Sequence, residues 1–194
     1  MDHITPDAGF FRSPATRLAP ALIGCLLRRV APEGMMSGVI VETEAYTSDD
    51  PASHSYGGET SRNWPMFRGG GLAYVYLIYG IHNCFNVTSG VPGSGEAVLV
   101  RALEPCQGTG LMMDNRGVRD PELLCSGPGR LCQAMGIDRS MNGSSLLRGE
   151  LQVLLPSGTR QPRISVSGRI GISRARELQR RFFLSGSRWV SGRR

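Results

Sequence analysis

The sequence contains no lysine: all 22 of its positively charged side chains are arginines. No reaction through the amine of a lysine side chain, such as Schiff-base formation, is therefore available to it. The three histidines are dispersed and the five cysteines include no CxxC pair, so we expect no metal site and no cofactor. An odd number of scattered cysteines predicts reduced thiols in a cytosolic setting rather than a disulfide framework.

Long apolar runs are also absent. The most apolar stretch, residues 18–27, is far shorter than the roughly 20 residues that span a membrane. The first ten residues lack the basic start and apolar core of a signal peptide. We therefore expect a soluble cytoplasmic protein without a membrane partner. Its net charge of +6 favours a polyanionic partner. The use of arginine in place of lysine has a simpler explanation in GC-rich coding.

Twenty-six glycines and twelve prolines in 194 residues favour turns and short strands over long helices. The pattern predicts a helix that begins after Ser13 and runs through Leu27, a long loop at 47–71 and a second helix within 126–136. It predicts strands over residues 37–46, 72–80, 81–89, 96–105, 150–156 and 180–186. The expected fold is α+β: a single domain over 1–194 with a curved antiparallel β-sheet flanked by short helices, in which residues 1–12 are a candidate flexible segment.

Residues 39–46, VIVETEAY, are typical of a core strand, yet they carry two carboxylates. Because side chains alternate along a strand, Glu42, Glu44 and Tyr46 are expected on one face. The opposite face, which is expected to pack inward, carries Val39, Val41, Thr43 and Ala45. Two explanations fit the charged face: an exposed edge strand, or the lining of a cavity.

Aromatic rings with polar tips are concentrated in one part of the chain. All five tyrosines lie between positions 46 and 79: Tyr46, Tyr56, Tyr74, Tyr76 and Tyr79. His54, Trp64 and Phe67 lie in the same window. Such rings, beside carboxylates and a Gly-rich loop, suit a pocket for a flat aromatic ligand, where stacking contributes roughly 1–3 kcal/mol per base. An aromatic core is the alternative, but it explains a polar loop with His54 less well.

Two polar residues stand inside apolar strands. Arg101, in VLVRALEP, needs an anionic or carbonyl partner because an isolated buried charge is unfavourable, and Glu42 or Glu44 is the candidate. Asn86, in CFNVTS, is either a core amide satisfied by the backbone or an amide that reads the hydrogen-bonding edge of a ligand. Arg101 and Asn86 are therefore candidate site residues.

Several motifs together resemble one known family. In order and spacing the sequence is similar to the alkyladenine DNA glycosylases, also called mammalian-type 3-methyladenine DNA glycosylases, through VETEAY, HSYGG, SRNWPMF, AYVYLIYGIHNCFNV, VLVRALEP, ELLCSGPGRLCQAMGI and RIGIS. The resemblance runs from about Ser13 to the C-terminus. The short N-terminal segment is similar to that of bacterial members.

The resemblance implies two catalytic residues. Glu44 resembles the general base that activates a water molecule. Arg101 resembles the arginine that lies near this water and orients the site. Glu42 matches no functional position of the motif and is expected to have a structural role.

The resemblance also implies a pocket for a base that has been flipped out of the duplex. Tyr46 resembles the aromatic residue that stacks on this base, and His54 and Tyr76 complete the pocket. Asn86 resembles the amide that selects against normal guanine by crowding its 2-amino group. Tyr79 resembles the residue that inserts into the minor groove, where it fills the space that the base leaves.

The implied function is base-excision repair of double-stranded DNA. Alkylated or deaminated purines, such as 3-methyladenine, 7-methylguanine, hypoxanthine and ethenoadenine, would be flipped out and their N-glycosidic bond hydrolysed. Glycosylases that also cut the backbone use a Schiff base, usually on lysine. Because lysine is absent, we expect a monofunctional enzyme that leaves an abasic site. It is expected to be a monomer associated with the bacterial nucleoid.

Loop residues near the motifs are candidates for contacts with DNA phosphates, which give salt-dependent binding without sequence preference. They are Arg62, Arg68, Arg130 and Arg169, together with the backbone around Gly171. Four other arginines are expected to form a solvated face: Arg174, Arg176, Arg180 and Arg181. Glu59 stands where vertebrate members often carry an arginine, which weakens the phosphate contact expected of that loop.

Two other functions remain open on the sequence alone. A non-catalytic nucleic-acid binding module would keep the aromatic residues and arginines but would have no use for Glu44. A nucleosidase acting on free nucleosides would need neither Tyr79 nor a basic surface. The ETEAY motif with Glu44 argues against the binding module, and dependence of the activity on DNA separates a glycosylase from a nucleosidase.

Overall fold

The chain is organised around one β-sheet. The computed structural model describes residues 3–158 and 162–192, and within these ranges it contains nine strands and three α-helices. The strands are β1 (His3–Ile4), β2 (Leu26–Ala31), β3 (Gly34–Tyr46), β4 (Ala73–Ile78), β5 (His82–Ser89), β6 (Glu96–Gln107), β7 (Leu151–Pro156), β8 (Ile164–Ser167) and β9 (Arg181–Leu184). The helices are α1 (Ala15–Ala21), α2 (Thr109–Arg116) and α3 (Pro128–Met135).

The sheet has the strand order β1-β7-β2-β3-β6-β5-β4, and β9 pairs with both β3 and β8. All of these pairings are antiparallel. Helices α1 and α3 pack against the sheet over a core that includes Leu18, Ile40, Phe85 and Leu131. The predicted α+β class with an antiparallel sheet is confirmed. Within the described ranges, no helix has the length and apolar character to cross a membrane.

Strand β3 lies in the interior of the sheet. It pairs with β6 along one side, and with β2 and then β9 along the other. Glu42, Thr43 and Glu44 have no exposed surface. The exposed-edge explanation for the two glutamates is therefore wrong: both carboxylates stand inside the protein and must be satisfied there.

Two bulges around Glu42 interrupt the pairing of β3 with β6, in addition to a register shift between Ser37 and Gly38. The register shifts between Ile40 and Glu42 and again between Glu42 and Thr43, which leaves Val41 unpaired on β3 and Arg101 unpaired on β6. The second shift restores the original register. Bulges often re-aim side chains near functional sites, and here the bulge on β6 carries the arginine that contacts both glutamates of β3.

The core-facing side of β3 changes phase across these bulges. Ile40 packs in the core before them, and Ala45 does so after them. Thr43 faces the same side as Ala45, since its hydroxyl donates to the Ala19 carbonyl oxygen of α1 at 2.8 Å. The predicted inward face is therefore correct at Thr43 and Ala45 but wrong at Val39, which is half-buried and outside the core cluster.

The first predicted helix is too long. Helix α1 ends at Ala21, and the chain turns through Gly24, whose φ of +92° favours glycine. Residues 26–31 then form β2 rather than the end of a helix. Elements α2, β1 and β8 have no sequence signal that predicts them, because α2 buries only Met112 and the two strands have two and four residues.

The other predicted elements are confirmed. The predicted strands correspond to β3, β4, β5, β6, β7 and β9, and the helix within 126–136 is α3, which ends at Gly136 with φ +63°. The long loop at 47–71 contains only a 3-10 helix, Trp64–Phe67. Within the candidate flexible segment 1–12, residues 3–12 include β1 and the buried Phe11, and residues 1 and 2 lie outside the described residues.

The loop at 47–71 is held by a buried asparagine. The Asn63 side-chain amide donates to the carbonyl oxygens of His54 at 2.8 Å and Gly58 at 3.0 Å. Its Oδ1 accepts from the Thr60 N–H at 2.6 Å. One side chain thus replaces several backbone partners that an irregular segment lacks, and it fixes the position of His54.

Candidate active site

A cavity of about 590 Å³ opens beside the C-terminal end of β3. This volume lies in the range of roughly 300–1,000 Å³ that is usual for small-molecule sites. The wall combines β3, β4, β5 and β6 with segment 51–54, the start of α3 and segment 170–174. The cavity is lined by the four predicted base-pocket residues, by the predicted catalytic residue Arg101 and by the predicted DNA-inserting residue Tyr79; the base-pocket residues are Tyr46, His54, Tyr76 and Asn86.

Glu44 is fully buried and contacts three residues that line the cavity. Its Oε2 accepts from the Tyr46 hydroxyl at 2.8 Å, and its Oε1 accepts from the Ile170 N–H at 2.8 Å. Arg101 Nη1 lies 3.3 Å from Oε1. Because a carboxylate offers about four acceptor positions, these contacts leave capacity for one further donor, such as a water molecule.

The Tyr46 hydroxyl acts as a donor to Glu44. Burial, together with the adjacent Glu44 carboxylate, raises the pKa of Tyr46 well above its ordinary value. The hydroxyl therefore keeps its proton at any physiological pH. The ring and the carboxylate are thus linked by a hydrogen bond that orients both groups.

Arg101 is buried between the two glutamates of β3. Its Nε donates to Glu42 Oε1 at 3.0 Å, while Nη1 faces Glu44. Burial alone lowers the pKa of Arg101, but the Glu44 and Glu42 carboxylates raise it above its ordinary value, so the guanidinium remains charged. The predicted pairing of Arg101 with a glutamate of β3 is confirmed, and the arginine contacts both of them.

Glu42 joins Arg101 to the C-terminal part of the chain. Its carboxylate accepts from Arg181 Nε at 2.6 Å, and from the Ser191 N–H at 2.6 Å and hydroxyl at 2.9 Å. Four donor groups therefore surround Glu42, which is consistent with a structural role. The solvated position predicted for Arg181 is wrong, since its side chain is 11% exposed and paired with Glu42.

A second buried ion pair lies beside Tyr46. Arg169 donates to Asp50 through both terminal nitrogens, with Nη2 3.0 Å from Oδ1, and both side chains are inaccessible to solvent. The Arg169 Cζ atom lies 4.6 Å from the centroid of the Tyr46 ring. The predicted phosphate contact of Arg169 is therefore wrong. Arg180 is not a solvated residue either, because its Nη1 donates to Asp50 at 3.1 Å.

His54, Tyr74 and Tyr76 form an aromatic wall. His54 Nδ1 lies 2.8 Å from the Tyr74 hydroxyl, and its ring centroid lies 4.5 Å from that of Tyr76 at an interplanar angle of 71°. Burial and the nearby Arg62 charge lower the pKa of His54 to about 4. His54 is therefore a neutral ring near pH 7, and the wall offers aromatic surface and hydrogen-bonding groups without added charge.

Asn86 lies on the cavity floor, where β5 runs between β4 and β6. Its side-chain amide donates to the Tyr74 carbonyl oxygen at 3.0 Å, and the residue is 4% exposed. The backbone bond fixes the side chain while Asn86 still lines the cavity. Both sequence interpretations of Asn86, a backbone-satisfied amide and a pocket amide, are thus compatible with its position.

Tyr79 stands at the tip of the β4–β5 hairpin. It is 82% exposed and adopts φ +53°, a left-handed conformation that is uncommon for a bulky residue. The neighbouring Ile81 is 72% exposed. An exposed aromatic ring held in a strained turn at the mouth of a cavity is a feature that function often explains.

Comparison with known proteins identifies the family. The family model described as "Methylpurine-DNA glycosylase (MPG)" matches residues 9–188. The chain belongs to the methylpurine-DNA glycosylase family. Membership places it among the DNA glycosylases, hydrolases that act on DNA in repair, and confirms the resemblance seen in the sequence.

Similar proteins from several organisms carry the name "Putative 3-methyladenine DNA glycosylase". The relative from Methanoculleus marisnigri is 50% identical over 193 residues, which cover 98% of this chain and all of that protein. Those from Granulibacter bethesdensis and Rhodopseudomonas palustris (strain BisB18) are 49% and 48% identical. The alignments cover 97% and 94% of this chain, and 88% of each relative.

The predicted phosphate contacts of this methylpurine-DNA glycosylase family member lie around the cavity but differ in their environment. Arg62 is exposed and donates to the Leu77 carbonyl oxygen at 3.1 Å, and Arg130 donates to the Ser126 hydroxyl at 3.1 Å beside the start of α3. Gly171 lines the cavity with φ +77°. Each of these three contacts remains a prediction.

Arg68 differs from Arg62 and Arg130 because it has an acidic partner. Its guanidinium makes two hydrogen bonds to Glu59, at 2.6 and 3.1 Å, and both residues are exposed. Glu59, which was expected to weaken the phosphate contact of this loop, therefore pairs with Arg68. A phosphate would have to compete with Glu59 for the same nitrogens.

Several residues of the site were not predicted from the sequence. The Ile170 N–H, Asp50 and Ser191 all contact β3 or its partners. Their only local signal is that Ile170 is the second residue of the RIGIS motif. Among residues 3–158 and 162–192, no group of three or more His, Cys, Asp or Glu side chains is arranged to hold a metal ion.

Proposed function

We propose that this DNA glycosylase flips alkylated or deaminated purines out of duplex DNA into the aromatic cavity. It then hydrolyses their N-glycosidic bond with a water molecule that Glu44 activates. The observation that carries the proposal is the position of Glu44: a buried carboxylate, held by Tyr46, Ile170 and Arg101, directly behind an aromatic cavity of about 590 Å³. A base inside the duplex is unreachable, and extrusion into such a pocket solves this problem.

Glu44 acts as the general base. The Ile170 N–H and the Arg101 guanidinium both point at its Oε1. A water molecule that donates to the remaining acceptor position of the Glu44 carboxylate and accepts only from the Arg101 guanidinium keeps one oxygen lone pair free. As that lone pair attacks the sugar C1′, the water proton passes to Glu44 and the bond between C1′ and the base breaks.

The cavity favours the damaged purine as a leaving group. Alkylation at a ring nitrogen gives a purine such as 3-methyladenine a positive charge, which makes it depart more easily. The faces of Tyr46 and Tyr76 attract such a cation, an interaction worth about 0.5–2 kcal/mol. Asn86, fixed by its bond to the backbone of Tyr74, would crowd the 2-amino group of normal guanine.

The product is an abasic site in an unbroken strand. Strand cleavage by a glycosylase requires an amine that attacks the sugar, and this chain has no lysine. We infer a monomer that acts on double-stranded DNA of the nucleoid in the cytoplasm, without a cofactor. The exposed arginines near the cavity supply the affinity for phosphates.

The test is single-turnover incubation of the protein with duplexes that carry one 7-methylguanine, 3-methyladenine, hypoxanthine or 1,N6-ethenoadenine. We expect release of the free base, strand scission only after alkali, and no adduct that borohydride traps. A trapped adduct would contradict the monofunctional mechanism. Binding without release of any of the four bases would instead indicate the non-catalytic binding module, and release from free nucleosides alone would indicate a nucleosidase.

Substitution of Tyr79 by serine tests the flipping step. Without the ring, nothing fills the gap in the duplex, and unstacking a base costs a few kcal/mol, so we expect release from duplex DNA to slow about tenfold or more. Release from single-stranded DNA should change little, because no stack has to be opened. The matched control is Tyr56→Ser, which removes a tyrosine that is 55% exposed and does not line the cavity. Equal slowing on single-stranded and duplex DNA would rule out the wedge role.

A further inference from the structure

We propose that the buried Asp50–Arg169 pair is a positioning element for Tyr46 and also balances the charge behind the base pocket, so that a positively charged purine can stack there. This inference deepens the proposed function and rests on it. It assigns a role to two residues that do not line the cavity. Compensation of the Arg169 charge by Asp50 would make the pocket suitable for both charged and neutral lesions.

Arg169 ties together three segments that form the cavity wall. Its Nη1 donates to the Ala45 carbonyl oxygen at 3.1 Å, at the end of β3. The bonds to Asp50 hold the segment that leads into residues 51–54, and Nη2 lies 3.4 Å from the Ala175 carbonyl oxygen, at the end of segment 170–174. Arg169 also directly precedes Ile170, whose N–H contacts Glu44. One guanidinium thus fixes the spacing of the elements that surround Tyr46.

The Tyr46 ring is held at two points. Its hydroxyl is bonded to Glu44, and the Arg169 Cζ atom lies 4.6 Å from its centroid. Tyr46 lines the cavity whereas Arg169 is fully buried and does not. The guanidinium therefore covers the face that turns away from the cavity, and the opposite face is presented to a bound base. A ring that is fixed in this way loses little freedom when a base stacks on it.

The charge of Arg169 has a consequence for cationic bases. A base that stacks on the free face of Tyr46 at about 3.5–4 Å would place a second positive charge within about 8 Å of the guanidinium. Such a separation in a partly buried site weakens the binding of a cation by about tenfold or more if nothing compensates it. Asp50 supplies the compensation through its two bonds to Arg169, and Arg180 contributes a further positive charge beside Asp50.

The variant Asp50→Asn removes the compensating charge while it keeps the shape of the side chain. The measurement compares the single-turnover release rate of a cationic base, 7-methylguanine, with that of a neutral base, hypoxanthine. Each lesion is placed in a duplex of the same surrounding sequence. We expect the ratio of the two rates to fall about tenfold relative to the unsubstituted protein. A purely structural role for Asp50 would slow both releases by the same factor and leave the ratio unchanged, which would overturn the proposal.

Two further variants are expected to change the ratio of the 7-methylguanine rate to the hypoxanthine rate in different ways. In the double variant Asp50→Asn with Arg169→Gln, both charges are gone, and the ratio should return to within about twofold of the original. Arg180→Gln removes a positive charge next to Asp50 from a side chain that is 18% exposed, and it should raise the ratio. If Asp50→Asn does not fold, Arg180→Gln still tests the charge argument.

The matched control is Asp114→Asn, which breaks an ion pair of the same kind on the surface, with Arg119. It should leave both rates and their ratio unchanged. A lesion ratio that stays constant in all variants would overturn the charge-balancing role while leaving the glycosylase function intact. Failure of the unsubstituted protein to release either base would contradict the proposed function itself.

Discussion

Replacing Glu44 by glutamine is expected to slow single-turnover release of hypoxanthine from duplex DNA by about 10²–10⁴-fold, the range over which a positioned general base contributes. Glutamine has the same shape, and its side-chain oxygen can still accept from the Ile170 N–H and Arg101. Its amide nitrogen can donate to the Tyr46 hydroxyl oxygen. The network would therefore persist, and only the capacity to take a proton from water would be lost.

The predicted loss should appear in the chemical step and not in binding. Affinity for duplex DNA with a lesion, measured by fluorescence anisotropy, should remain within about threefold, because the phosphate contacts and aromatic wall are untouched. The matched control is Glu150→Gln, which changes an acid that is 70% exposed and pairs with Arg29 on the surface. If Glu44→Gln releases the base at more than a tenth of the original rate, another group activates the water.

The sequence predicts the cavity-lining character of β3 because its local signals are strong. A strand that mixes valine with carboxylates requires either an exposed edge or a polar cavity, and an arginine within an apolar strand requires an anion. In the structure, both glutamates are buried and not at an exposed edge. The requirement for an anion is met by the contacts of Arg101 with Glu42 and Glu44. The clustering of tyrosines likewise indicates an aromatic pocket, and four of the five tyrosines line the cavity together with His54.

The bulges at Val41 and Arg101 lie beyond such reasoning. Alternation along a strand assumes an uninterrupted ladder, and no residue type in VIVETEAY marks an unpaired position. Both bulges are features of the pairing between β3 and β6 and not of either strand alone. For this reason the predicted inward face is correct after the bulges and wrong before them.

Long-range partners are equally hidden from sequence patterns. Ser191 bonds to Glu42 across 149 positions, and Arg169 bonds to Asp50 across 119. From the sequence, an arginine in a Gly-rich loop is most simply explained as exposed, since arginines are seldom fully buried unless paired. Arg169 is buried because the fold brings Asp50 next to it, and no local sequence pattern indicates this pairing.

The second large effect is expected from Glu42→Ala, and it concerns stability. This substitution leaves the buried guanidinium groups of Arg101 and Arg181 without the carboxylate that satisfies them. Removal of one partner from a buried ion network typically destabilises a protein by about 3–5 kcal/mol, a large part of the 5–15 kcal/mol that is usual for a domain of this kind, in order of magnitude. We expect a loss of this size in the free energy of unfolding measured with urea.

The contrast with an exposed pair makes this result interpretable. Asp114→Ala removes the partner of Arg119 where the two side chains are 66% and 80% exposed, and it should change the free energy of unfolding by no more than about 1 kcal/mol. Glu42→Gln should lie between the two, because it keeps oxygen acceptors for Ser191 but loses the charge. If Glu42→Ala is no more destabilising than Asp114→Ala, the network around Arg101 contributes little to folding, and Arg101 must be held in place by its contacts with Glu44 and Ser191.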